Sequence, residues 1–108
     1  MRDYKIYLKD ILESIEKIEN SLQELNKEEF IKNLNIMDAT LMRIQVIGES
    51  VKKLPLDFKK KYRDVEWNKI SQTRDMISHA YSKINTNIIW DLIKNKLPKL
   101  KEQIKEII

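Results

Sequence analysis

The stretch Arg74-Asp75-Met76-Ile77-Ser78-His79-Ala80-Tyr81 gathers residue types that could do chemistry, including the only histidine of the chain. An imidazole of ordinary pKa ~6.5 can give or take a proton near neutrality. A lone histidine near a helix end is also a common cap or packed core residue, so its neighbours decide its weight. Arg74 stands where the surrounding periodicity asks for an apolar side chain, and a buried guanidinium is costly unless it is paired or faces a ligand. An anion is therefore expected beside it: either Glu49, one residue after the single glycine Gly48, or an external phosphate. Asp75 and His79 supply only two ligands, too few for a zinc site, and the chain has no cysteine. There is no glycine-rich phosphate loop, and a Ser-His-Asp set would need partners that the sequence does not locate. Neither a metal nor a cofactor is expected.

The elements that must hold these residues read as helices. One Gly and two Pro, with 42% apolar and 35% charged residues, lack the turn clusters of a sheet protein. From Tyr4 onward Leu8, Ile11, Ile15, Ile18, Leu22 and Leu25 alternate at four- and three-residue steps, the pattern of a long amphipathic helix. Asn26 is placed to cap a second helix, in which Phe30, Leu34, Met37, Leu41, Ile44, Gly48 and Val51 keep the rhythm. Ile36, Ile47 and Leu54 widen its apolar face enough for two neighbours, one of which could be another protomer. Gly48 costs about 1 kcal/mol relative to Ala in a helix interior, so a close backbone approach is expected there.

Leu54-Pro55 ends that helix, and a short helix over 58–62 follows. Trp67, Ile70, Arg74, Ile77 and Tyr81 mark a fourth helix. At about 100° per residue, Arg74 and Tyr81 lie about 20° apart, but Arg74 and His79 about 140°. Either the helix distorts before His79 or the long side chains converge on a cleft at its edge, which a cleft between protomers would accommodate. Residues 82–87 form a polar break with Asn85 and Thr86 as cap candidates, and Pro98 should kink the last helix near Asn95. These elements make a single all-α domain over residues 1–108, a four- to five-helix up-and-down bundle.

No signal-peptide core or membrane-spanning run is visible, so a cytoplasmic location away from membranes is expected. The net charge of +4 permits nucleic acid without requiring it. Lys52, Lys53, Lys59, Lys60, Lys61 and Arg63 meet only one acid, Asp57, and form either a solvated charge run or a phosphate patch for RNA.

Arg74-Asp75 followed by His79-Ala80-Tyr81 resembles the signature of the HEPN superfamily, in the form carried by HepT toxins. Arg43-Ile44-Gln45-Val46-Ile47-Gly48-Glu49-Ser50 is similar to that family's second-helix segment, and Trp67 and Leu97-Pro98 sit where the family has them. The resemblance covers nearly the whole chain. It implies a helical bundle that forms a homodimer, placing two motifs around a basic cleft that cuts RNA. By the same resemblance Arg74 and His79 are catalytic, and a minimal nucleotidyltransferase antitoxin silences the toxin by transferring AMP onto Tyr81. Asp75 fills a polar position where the family often has Asn, and with Glu49 it would support the site. A HEPN fold kept as a non-catalytic nucleotide-binding or protein-interaction module is the alternative, and a plain helical dimerisation protein with an Arg74–Glu49 pair is a third reading.

Cleaving RNA through its own 2′-hydroxyl requires a base for that hydroxyl, an acid for the departing 5′-oxygen and a cation for the phosphate. One histidine fills either proton role, each contributing ~10²–10⁴-fold. A symmetric dimer would supply two histidines, with Arg74 holding the phosphate.

Overall fold

The computed structural model describes residues 4–79 and 83–108, and among them every regular element is helical. Helix α1 (Lys5–Leu22) buries Leu8, Ile11, Ile15, Ile18 and Leu22 along one stripe, as their spacing predicts. Asn26 caps α2 (Lys27–Lys32): its Oδ1 accepts from the Glu29 N–H at 2.9 Å, and Glu29 Oε1 accepts from the Asn26 N–H at 3.0 Å. This reciprocal box satisfies two otherwise orphaned amide groups.

The single second helix expected from the apolar rhythm is instead two helices. Asn33 leaves helical geometry at φ −92° and ψ 95°, and its N–H donates back to the Glu29 and Phe30 carbonyls. Its Oδ1 then accepts from the Ile36 N–H at 3.1 Å and starts α3 (Leu34–Lys53). Leu34, expected in the core stripe, is 71% exposed as a result.

Leu54 is extended before Pro55, which leads into the short α4 (Leu56–Lys61). Helix α5 (Trp67–His79) carries the candidate motif, and the expected continuation to Tyr81 falls outside the described residues. Asn85 caps α6 (Thr86–Asp91) by accepting from the Asn87 N–H at 2.9 Å. A π-helical turn, Leu92–Lys96, joins α6 to α7 (Leu97–Ile107). Pro98 has no N–H for the Lys94 carbonyl four residues back, and the Leu97 N–H reaches five residues back to Leu92. The disturbance expected near Asn95 is thus a widened turn.

Both neighbours of the broad face of α3 belong to the same chain: α1 packs on one side and α5 on the other. Arg43 reaches Ser21 while Lys53 lies over the Tyr7 ring, so α1 and α3 run antiparallel. Gln45 meets Ser78 and Lys52 meets Asp75, giving α3 and α5 the same relation. Helix α7 returns along α1, where Lys101 Nζ lies 2.8 Å from Glu19 Oε1. Phe30 anchors α2 with its ring centroid 5.5 Å from that of Trp90. One continuous hydrophobic core results, whose members include Ile11, Ile44, Ile77 and Ile104. Among the described residues no helix is long and apolar enough to cross a membrane.

Candidate active site

Helices α3 and α5 come closest at Gly48 and Arg74. A Cβ added to Gly48 would lie 2.3 Å from Arg74 Cβ, closer than carbon atoms can pack, and a tight 3.0 Å from Arg74 Cγ. The glycine therefore lets Arg74 rise between the helices, as its position in the apolar pattern implies. The side chain remains 28% exposed and is held at two points. Nη2 donates to Glu49 Oε1 at 2.9 Å, and Nη1 lies 3.3 Å from Asp75 Oδ1. Nε is buried without a partner, which makes the guanidinium's placement costly.

The internal anion anticipated for Arg74 is thus Glu49, with Asp75 as a second. Lys52 Nζ donates to the same Asp75 Oδ1 at 2.5 Å. The Lys52 hydrogen bond holds the Asp75 carboxyl below the usual carboxylate range, and the Arg74 hydrogen bond adds to this against a desolvation penalty. The Lys52 and Asp75 side chains are 38% and 42% exposed, so water screens their attraction.

His79 is the last residue of α5 and is exposed. The helix is uninterrupted up to it, so no distortion turns it toward Arg74. It stands about 140° around the helix from Arg74 but only about 40° from Asp75, one turn earlier. Ser78 Oγ lies 3.5 Å from Gln45 Oε1 on the α3 side of the same turn. Tyr81, the expected modification site, lies outside the described residues.

The basic run 52–63 divides into three environments. Lys52 is engaged by Asp75 beside Arg74. Lys53 Nζ lies 5.9 Å from the Tyr7 ring centroid and Lys61 Nζ 5.5 Å from that of Tyr62. Lys59, Lys60 and Arg63 line a cleft where α4 meets the start of α5. Only Lys52 therefore joins the Arg74 neighbourhood.

Two contributors were not singled out from the sequence: the role of Lys52 as partner of Asp75, and Gln45. A signal was present, because Gln45, Glu49 and Lys52 follow four- and three-residue steps along one strip of α3 facing the motif. Among the described residues no three His, Cys, Asp or Glu side chains come together as a metal-holding group.

The arrangement can hold an anion at a forked, partly exposed guanidinium, and an imidazole stands five residues further along the same helix. Residues 11–107 match the family model described as "Ribonuclease HepT-like". The chain is 39% identical over 107 residues to a "Putative RNase" of Methanocaldococcus jannaschii, covering 99% of this chain and 88% of that protein. It is 32% identical over 106 residues to the "Probable ribonuclease HepT" of Thermococcus cleftensis, covering 98% and 96%. A third relative, the "Gamma-glutamylcyclotransferase and putative RNase" of M. jannaschii, is 38% identical over 106 residues, covering 98% of this chain. The chain spans 48% of that longer protein. No solved structure matches the chain significantly. The sequence signature, the helical fold and the family match over residues 11–107 agree, and the chain belongs to the HepT-like ribonuclease family.

Proposed function

We propose that this protein is a metal-independent endoribonuclease that acts as a homodimer and serves as the toxin of a toxin–antitoxin pair. The observation that carries the reading is the placement of Arg74, which Gly48 admits between α3 and α5, Glu49 fixes through Nη2, and the surface leaves partly open. A structural pair alone has no need of an open guanidinium edge. The longer contact from Nη1 to Asp75 is the one that a phosphate oxygen would replace.

In this mechanism an imidazole of His79 takes the 2′-hydroxyl proton as the 2′-oxygen attacks phosphorus. Protonated His79 of the second protomer gives a proton to the departing 5′-oxygen. Arg74 neutralises the charge gathering on the non-bridging oxygens. The products are a 2′,3′-cyclic phosphate and a 5′-hydroxyl. With one histidine per chain, this mechanism takes its second proton-transfer group from the other protomer. Met42 and Val46, 61% and 40% exposed on the same side of α3 as Glu49, offer the apolar contact for it.

A purified-protein assay on single-stranded RNA tests this. Cleavage should be unchanged by chelator and leave 5′-hydroxyl ends. Loss of activity with chelator, or 5′-phosphate ends, rules out the metal-independent mechanism. Control by AMP transfer is tested by incubation with the cognate nucleotidyltransferase antitoxin and ATP. One AMP mass should appear on wild type and none on Tyr81→Phe, and an equal adduct on both excludes Tyr81. The alternative, a non-catalytic binding module, draws on Asp75, which occupies both Lys52 and Arg74. RNA binding without cleavage would support it.

A further inference from the structure

The cleft between α4 and the start of α5 has a volume of about 370 Å³ and is lined by Leu56, Lys59, Lys60, Arg63, Trp67 and Asn68, among others. Its single acid, Glu66, is engaged by Lys69 at 2.6 Å. Lys59, Lys60 and Arg63 have no acidic partner among the described residues, and partial burial pushes the Lys59 amine below its ordinary range. Three cations without an acidic partner around a concave surface leave a local positive potential that favours an anionic ligand. Beside them Leu56 is an apolar side chain 65% exposed, and Val65 and Trp67 form a floor 6% and 5% exposed. A cationic rim next to an apolar ledge suits a ligand with a phosphate at one end and a flat apolar part at the other.

The cleft is in register with the candidate active site. Asn68 lines it, and His79 lies eleven residues later on the same α5. Eleven residues are just over three whole turns, so the two stand about 20° apart around the helix and about 16 Å apart along it. Exposed Gln72 and partly exposed Asp75 occupy the strip between them. A stacked strand rising ~3.4 Å per nucleotide would cover that distance in about five nucleotides.

We propose that this cleft is a second RNA contact that holds one nucleotide of the strand flanking the cut, its phosphate between Lys59, Lys60 and Arg63 and its base on Leu56. The proposal rests on the ribonuclease reading for the identity of the strand, but its test does not depend on cleavage. The shared chemistry of a strand nucleotide and a free one is a phosphate beside a base, so the two sources are separated by length and by competition.

The test uses 2′-O-methyl RNA, which has no free 2′-hydroxyl to attack, as a labelled 12-mer and a dinucleotide binding to the full chain. Wild type should bind the 12-mer far more tightly than the dinucleotide, whose single phosphate cannot occupy both places. Lys60→Glu with Arg63→Glu should remove at least about tenfold of that length advantage. The double variant should also make the salt dependence shallower by about 0.7, the share of the one phosphate left without its cations. Lys9→Glu with Lys105→Glu carries the same change of net charge on exposed positions of α1 and α7, and serves as the control. Equal loss in both double variants, with circular dichroism unchanged, overturns the cleft. Displacement of the 12-mer by millimolar AMP in wild type but not in the cleft variant overturns the strand as its source. Wild type that binds as expected but fails to cleave unmodified RNA refutes the ribonuclease reading and leaves the cleft standing.

Discussion

Gly48 and Arg74 occupy one contact point between two antiparallel helices: a Cβ on the first would sit 2.3 Å from the Cβ of the second. Gly48→Ala should gain about 1 kcal/mol in helix propensity yet lose more through overpacking that costs typically 1–3 kcal/mol. The net expectation is a lower melting temperature, with each kcal/mol worth about 4–8 °C at this size, together with reduced cleavage as Arg74 is pushed out of place. A melting temperature at or above wild type would mean that α3 and α5 separate easily and that the close approach is dispensable.

That contact shows what was legible in the sequence and what was not. A lone glycine in a helix interior, an arginine in an apolar register and an acid next to the glycine all pointed to a close approach with an internal pair, and Gly48, Arg74 and Glu49 supply it. The break at Asn33 was hidden, because Phe30, Leu34 and Met37 continue the four-three rhythm across it. Periodicity reports which side chains could share a face, whereas the stop at Asn33 is decided by its own side chain bonding the Ile36 amide. The basic run was visible only as a charge excess. Its division among Asp75, two tyrosine rings and the α4–α5 cleft depends on the turn at Pro55 and on packing that sequence spacing does not encode.

His79→Ala should leave the fold intact and reduce RNA cleavage by at least about 10²-fold. The side chain is exposed at the end of α5, where a surface substitution usually changes stability by no more than about 0.5 kcal/mol. Circular dichroism with a cleavage time course reads both. Wild-type cleavage by the variant removes His79 from the chemistry.

Arg74→Lys keeps the positive charge but removes the fork that spans Glu49 and Asp75. Cleavage should fall nearly as far as in Arg74→Ala, because a point charge on a flexible stem cannot stay fixed to Glu49 through one nitrogen while offering a second to the phosphate. Stability should change little, since the replacement also removes the buried unpaired Nε. Full activity in Arg74→Lys would reduce the requirement to bulk charge.

Asp75→Asn separates stability from binding. The Lys52 hydrogen bond, helped by Arg74, holds the folded carboxyl below its unfolded value of ~3.9. Its pairing thus contributes stability at pH above that value, and the contribution is lost as pH falls through the lowered folded value. At neutral pH Asp75→Asn should be slightly less stable than wild type, with the difference closing in acid. Meanwhile Lys52 and Arg74 Nη1 are released toward phosphate, so RNA binding should tighten and its salt dependence steepen by about 0.7 for each further phosphate neutralised. Weaker RNA binding by the variant at neutral pH would show that the carboxylate itself helps hold the strand.

The dimer prediction concerns Met42 and Val46, one turn apart on α3 and exposed beside the strip that carries Gln45 and Glu49. If this face meets its copy, a charge there is buried against apolar surface and disfavours association, while the exposed positions spare the fold of the single chain. Light scattering on wild type should give twice the 13.0 kDa chain mass, and Met42→Glu with Val46→Glu should give the chain mass itself. Cleavage should disappear with dissociation, because a single chain has one imidazole for two proton transfers. Adding His79→Ala chains to wild type under exchange should then depress activity more steeply than dilution, since mixed dimers carry only one histidine. Activity that merely follows the wild-type fraction would mean that each chain cuts alone and that another group serves as the second acid or base.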